Sequence, residues 1–302
     1  MERACVIYNP VAGRGRAPRL AELVEQGLQA SGVAVEVMAT EQAGDGQRLA
    51  LTLSPDVRRI FVVGGDGTLR EVASGVLTAG SAAALAHIPL GNANVVAREL
   101  GVPLDPEAAI PVLLNGEAES FDVLEVNDQL VLAMVGVGYD AQLAASMESA
   151  RSGFGRNWYR RHGDSLYGVV GACCLLKPEL RRFDLVADGE VLYGEFTGCI
   201  VSNMRTYAKG WAPNPEADPQ DGLLNYSALK PGLFPTTVLS LLAAARRRAL
   251  PSSLATCGTA TDMLISAGNP FHWQADGDAM GLASELRIHL RSKCLRLIVP
   301  GC

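Results

Sequence analysis

Residues 62–68, Val-Val-Gly-Gly-Asp-Gly-Thr, set three glycines, an acid and a threonine between an apolar run and a segment of helical pattern. A plain turn needs no charge at that place. Glycine adopts left-handed backbone at little cost and lets amide groups come close to a ligand. A helix starting at Thr68 would add unpaired N–H donors and the positive end of its dipole, which suits a phosphate. Asp66 cannot bind phosphate itself, but it can hold a magnesium ion or its water shell beside one. The stretch is neither a Gly-Lys-Ser/Thr loop nor a Gly-x-Gly-x-x-Gly fingerprint. Taken alone it also reads as a tight turn with Asp66 as the helix cap.

The arrangement occurs three times. Asn9-Pro10 is followed by Gly13 and Gly15 between the first apolar run and the first helical one. Arg14 and Arg16 stand there as phosphate partners or as solvated arginines at a helix start. Gly91, Asn92 and Asn94 separate a third apolar run from the next helical pattern. Three such turns at the same end of successive strands make a cleft.

In this order, "NPVAGRG", "GGDGT", "PLGNAN" and a late "DGD" resemble the diacylglycerol kinase catalytic-domain family, which includes soluble bacterial lipid kinases and, more distantly, sphingosine and ceramide kinases. The resemblance covers nearly the whole chain. It implies ATP as phosphoryl donor, Mg2+, and a lipid alcohol acceptor of the diacylglycerol kind. It implies a nucleotide set of Asn9, Gly13, Thr40, Gly64, Gly65, Asp66, Gly67, Thr68, Glu71 and Asn92, with Asp66 also facing the metal. Asn92 stands where many members carry threonine, and Val95 where many carry aspartate. A second, structural magnesium would use Asp218, Asp221 and Leu223; the alternative there is a hairpin turn at Asp221-Gly222.

The late acids supply the remaining chemistry. If "FHWQA" is a strand, Phe271, Trp273 and Ala275 face a core, and His272, Gln274 and Asp276 face the other way. An alcohol is a poor nucleophile, so a carboxylate must take its proton, a contribution of about 10²–10⁴-fold. Asp276 is the expected base and Asp278 its partner, where the family usually has glutamate. The competing reading is an ordinary Asp-Gly turn joining two strands.

The elements that must position these groups follow from periodicity. The first hundred residues alternate strand and helix patterns, which implies an α/β, doubly wound, mostly parallel sheet with helices on both faces. Ligands then bind outside the carboxyl ends of the strands. From about Phe121 the pattern becomes short strands and Asp-Gly turns, read as an antiparallel β-sandwich. The expected division is 1–119 for the nucleotide domain and 120–290 for the lipid-substrate domain, with 291–302 packing back on the first. Helices are expected at "SLYGVVGACCLL" and "TTVLSLLAAARRR".

The chain has 302 residues, 26 basic and 32 acidic, and 48% hydrophobic residues. That composition is globular, and the acidic balance speaks against general nucleic-acid binding. Seven cysteines without a Cys-x-x-Cys pair point to a reducing compartment. The first apolar run is too short for a signal peptide, so a cytoplasmic protein, peripheral at the inner membrane surface, is expected. Arg151, Arg156, Arg160 and Arg161 with Phe154, Trp158 and Tyr159 would supply the transient membrane contact. A homodimer is compatible with all of this. The rival readings are an NAD-type kinase and a non-catalytic nucleotide-binding regulatory protein.

Overall fold

The computed structural model describes residues 2–152, 181–207, 212–231 and 250–301. Its contacts divide the chain into two units, one built from residues up to Val123 with the stretch from Arg291 onward, the other from the chain between them.

In the first unit, β1 (Arg3–Tyr8), β2 (Ala34–Ala39), β3 (Val57–Gly64) and β4 (Ala84–Pro89) form a parallel sheet in the order β2-β1-β3-β4. The chain leaves β1 for one neighbour and returns on the other side as β3, so the order reverses beside β1. The end of the long strand β14 (Asp278–Val299) runs parallel to β4 through the pair Leu297–Leu85. Strands β3 and β4 read as near-continuous apolar runs because both faces of a parallel sheet are covered. The helices are α1 (Ala17–Ala30), α2 (Asp45–Leu51), α3 (Asp66–Thr78), α4 (Val95–Glu99) and α5 (Pro106–Leu114). Pro18 opens α1, and Leu20, Val24 and Leu28 recur at helical spacing on its buried face. Each such side chain contributes about 1.5–3 kcal/mol on burial.

The second unit is antiparallel. Its strands run in the order β12-β11-β10-β7-β13-β14, with β8 on β13 and β9 on β8. They are β7 (Met134–Val137), β8 (Asp184–Ala187), β9 (Glu190–Val191), β10 (Gly198–Ser202), β11 (Leu224–Leu229), β12 (Ala255–Ala260) and β13 (Asp262–Ala275). β5 (Glu117–Val126) and β6 (Gln129–Val131) form a hairpin, and α6 spans Tyr139–Ser152. The core includes Phe183 edge-on to Phe271, with ring centroids 5.1 Å apart. Hairpins turn at Asn127-Asp128, Asp188-Gly189 and Asp276-Gly277, with both turn residues in the left-handed region each time. That is the turn whose twist matches the flanking strands.

The mostly parallel first unit and antiparallel second unit agree with the sequence pattern; the details differ in instructive ways. "TDMLISA" and "FHWQAD" belong to one strand, β13, because residues between Ser266 and Phe271 form an irregularity within it. "ELRIHL" and "CLRLIV" likewise belong to β14, which is bent at Gly281 and Lys293, both at positive φ. The expected single strand after Asp128 breaks between β6 and β7, at Leu132-Ala133. The apolar period of α6 is too weak to mark a helix in the sequence. The expected helices at 165–176 and 236–248, and most of the basic aromatic segment, lie outside the described residues. Among the described residues, no helix is long and apolar enough to cross a membrane.

Candidate functional site

Helix α3 starts at Asp66, two residues before the expected Thr68, with Gly65 as N-cap. Asp66, Gly67 and Thr68 therefore form its first turn, whose amides have no partner within the helix. Gly65 offers no side-chain cap. Asp66 is the acid of that first turn, where the dipole favours negative charge. Its Oδ1 accepts the Val96 N–H at 3.3 Å, tying the start of α3 to α4.

Gly64 and Gly65 in this turn are there for space. Gly64, Gly65 and Gly67 all keep negative φ, against the expectation of a left-handed bend. A Cβ on Gly65 would sit 3.2 Å from Gly91 Cα, and one on Gly64 would sit 2.8 Å from Thr68 Cβ. The backbone thus lies close to the neighbouring loop. The Leu90 N–H donates to Gly64 O at 2.8 Å, and His87 Nε2 lies 3.1 Å from the same oxygen. Asn94 clamps Gly91 from both sides: Oδ1 accepts its N–H at 2.7 Å, and Nδ2 donates to its carbonyl at 2.9 Å. Asn92 is exposed beside this clamp.

Asn9 and Thr40 follow β1 and β2 directly. The Asn9 N–H donates to Val63 O at 3.1 Å, the Thr40 N–H to Tyr8 O at 2.9 Å, and Thr40 is buried. Gly13 is left-handed, and a Cβ on it would lie 2.6 Å from Leu90 Cδ2. The expected nucleotide residues of the first unit thus gather at the carboxyl edge of one parallel sheet. Glu71 is placed differently. Its two oxygens accept the amides of Gly44 and Gly46, at 2.9 and 3.0 Å, bracing α3 against the start of α2. Asp45 does similar work: its Oδ2 holds the amides of Glu41 and Gln42, at 2.8 and 3.1 Å, in the loop after Thr40. Those amides and Arg48 hold its carboxyl below the usual carboxylate range.

In the second unit, Asp276 and Gly277 are the two residues of the β13–β14 hairpin. The Asp276 carboxylate reaches the break between β6 and β7. It accepts N–H bonds from Leu132 at 3.1 Å, Ala133 at 2.7 Å and Met134 at 3.1 Å. Its own N–H donates to Met134 O. Three donors on one carboxylate fix its orientation. Asp278 pairs with Ala275 across the hairpin. Phe271, Trp273 and Ala275 enter the core as expected, yet Gln274 on the other face is fully buried too. Its Oε1 accepts the Gly277 N–H at 2.8 Å, and its Nε2 donates to Asp140 Oδ2 at 2.6 Å. Tyr207 donates to Asp140 Oδ1 at 2.6 Å. Burial pushes the Asp140 carboxyl up, against both bonds. Neither Asp140 nor this use of Gln274 was anticipated; an acid just after Gly-x-Gly at a strand end was the available sign.

A magnesium ion carried on phosphates needs only one or two protein carboxylates, and Asp66 at the start of α3 fits that donor set. Asp218 and Asp221 have the hard oxygens that such an ion takes. As folded, each spends Oδ1 on a loop amide, Asp218 on Gln220 at 3.0 Å and Asp221 on Leu223 at 2.9 Å. Among the described residues, no three His, Cys, Asp or Glu side chains form a metal cluster.

A parallel sheet with glycine turns and open helix amides at its carboxyl edge marks the first unit as an α/β protein of the kind that takes ligands there. Residues 3–126 match the model of the diacylglycerol kinase catalytic domain, and this part of the chain belongs to that family. A protein of Pseudomonas putida named "Probable lipid kinase YegS-like" is 34% identical over 211 residues, covering 67% of this chain and 66% of the relative. One of the same name from Pseudomonas fluorescens is 34% identical over 210 residues, covering 67% and 65%. The chain thus spans about two thirds of the length of these curated relatives. A crystal structure described as a diacylglycerol kinase from Bacillus anthracis str. Sterne superposes with a TM-score of 0.74 at 20% identity, covering 99% of this chain and 97% of that one. This last likeness shows the fold.

Proposed function

We propose that this protein is an ATP-dependent lipid kinase that moves the γ-phosphoryl group of ATP to the hydroxyl of a diacylglycerol-like lipid. The observation that carries the reading is the pairing of the uncapped first turn of α3 with two further glycine-bearing turns at the same sheet edge. Such a place recognises a polyphosphate through amides and a helix dipole, with no basic side chain required. The family match and the names of the curated relatives support the lipid acceptor.

Phosphoryl transfer is mostly positioning and charge neutralisation. The amides of Asp66, Gly67 and Thr68 take phosphate oxygens, while Asn9, Thr40 and Asn92 line the nucleotide. Magnesium, when bound, neutralises charge on the phosphates, with Asp66 as its carboxylate. As the lipid oxygen bonds to the γ-phosphorus, its O–H bond breaks, the proton passes to Asp276, and ADP leaves with the bridging oxygen. Three backbone amides hold the Asp276 carboxylate in one orientation, and Asp278 is its partner on the hairpin. A basic, aromatic segment from Arg151 onward is the reversible contact with an anionic membrane surface.

The test is labelled ATP offered with mixed lipid extract, with NAD, or alone, to the wild type and to Asp276→Asn. Labelled lipid from the wild type, reduced about 10²–10⁴-fold in the variant, is the expected result. Labelled NADP would replace this reading with an NAD-type kinase. Nucleotide binding without product would leave a regulatory protein, and full turnover by the variant would remove Asp276 as base.

A further inference from the structure

The Asp276-Gly277 turn is a two-residue hairpin, and its strand continues inward to a buried amide. Gln274 is 0% exposed. One end of its amide accepts the Gly277 N–H, and the other donates to Asp140 at the start of α6. A buried carboxamide with both ends satisfied has a single orientation. The strand opposite makes room for it. Gly136 pairs with Gln274 across β7 and β13, with φ outside the left-handed region. A Cβ there would run into Asp140 Oδ2 and lie 2.7 Å from Gln274 Nε2. The glycine is thus required for space, and the space is filled by the Asp140–Gln274 contact.

We infer that Gln274, gripped by Asp140, is a positioning residue for Asp276: it fixes the Gly277 amide, and through that turn holds the Asp276 carboxylate on the amides of residues 132–134. The inference rests on the reading of Asp276 as proton acceptor for its kinetic part only. Two anchors act on one tight turn. Gln274 holds it from the buried side at Gly277, and residues 132–134 hold the carboxylate. Tyr207 closes the chain at the far end by donating to Asp140 Oδ1. Loss of the inner anchor lets the turn rotate, and a misplacement near 1 Å at reacting groups costs about 10²-fold.

The experiment compares the full-length wild type with Gln274→Met, which keeps volume and removes both bonds, and with Asp140→Asn. The asparagine carbonyl still accepts from Gln274, while its amide nitrogen can donate to the Tyr207 hydroxyl, which also accepts. Two readouts are taken: amide hydrogen exchange resolved at single residues, and steady-state kinase kinetics. Gln274→Met is expected to speed exchange at Gly277, Leu132, Ala133 and Met134 by about 10-fold or more, with β11 and β12 unchanged. Its kcat is expected to fall about 10²-fold, with KM for ATP within about twofold of wild type. Asp140→Asn, which keeps the acceptor, is expected to retain most of the wild-type exchange protection and kcat. Unchanged exchange at 132–134 in Gln274→Met overturns the inference, as does acceleration spread evenly over the unit. If exchange responds as expected but the wild type phosphorylates no lipid, the positioning role stands and the kinase reading falls.

Discussion

Gly65 and Gly91, 26 residues apart and on different loops, press backbone against backbone: a Cβ on Gly91 would stand 2.9 Å from Gly65 Cα. Nothing flexible occupies the contact, so neither loop can yield without moving the start of α3 or the Asn94 clamp. Gly91→Ala is therefore expected to cost about 1–3 kcal/mol in urea unfolding, the range for overpacking. Because the displaced backbone carries the proposed phosphate amides, nucleotide affinity should fall as well. Calorimetric titration with ATP beside the unfolding curve checks both. A variant with wild-type affinity would show that the loops do not set the phosphate amides.

Glu71 holds the amides of Gly44 and Gly46 with separate oxygens. Glu71→Ala leaves two donors at the start of α2 without their acceptor; Gly44 is exposed and its amide can turn to water, whereas Gly46 is buried, and a buried unsatisfied group costs about 1–3 kcal/mol. Glu71→Gln retains one carbonyl acceptor, which can serve Gly46, and should lose less than Glu71→Ala. If Glu71 touched the nucleotide instead, both variants would weaken ATP binding by similar factors at unchanged stability. Chemical unfolding and nucleotide titration on the three proteins separate the outcomes.

Much of the first unit was legible because its signals are local: apolar runs of strand length, helical spacing in 17–30, and a glycine turn after three of its strands. The purpose of those glycines was not. Sequence offers left-handed backbone as their default meaning, whereas Gly65 and Gly136 serve close approaches to Gly91 and Gln274, far along the chain, and Gly64 makes room for Thr68. The Asp276-Gly277 pair illustrates the same limit. Both readings of it, hairpin turn and oriented acid, describe the same two residues, because the turn aims the carboxylate at amides 142–144 positions earlier. Strand periodicity assigned Gln274 to the outward face, and the missing side chain at Gly136 leaves the space in which it is buried.

His87 is buried under the glycine turn, with Nε2 against Gly64 O and Nδ1 without a partner. Burial pushes its imidazole down from the ordinary value of 6.5, outweighing the charge of Asp66 and the Gly64 bond, which favour the protonated form. With the folded value below the unfolded one, the unfolded chain takes up the proton first as pH falls. The stability contribution is therefore full above about pH 6.5 and is lost below it. His87→Gln keeps a donor for Gly64 O and cannot titrate. Urea midpoints at pH 7.5, 6.5 and 5.5 should fall more steeply for wild type than for this variant; parallel curves would mean that His87 takes up its proton equally in both states.

Asp140 carries the opposite sign. Burial holds its carboxyl above the ordinary 3.8 in the folded chain, although Tyr207 and Gln274 both stabilise the charged form. The folded protein thus keeps the proton longer than the unfolded chain. The contribution is full below about pH 3.8 and is lost as pH rises through the folded value. Asp140→Asn removes the titration while retaining an acceptor for Gln274, so the variant should gain stability relative to wild type as pH rises through the acid range. Unfolding midpoints measured from pH 4 to pH 7 read this directly. A gap that narrows with rising pH would mean that the bonds from Tyr207 and Gln274 outweigh burial. Asp140 would then be held ionised in the fold, and the asparagine would no longer be the mild replacement that the exchange experiment relies on.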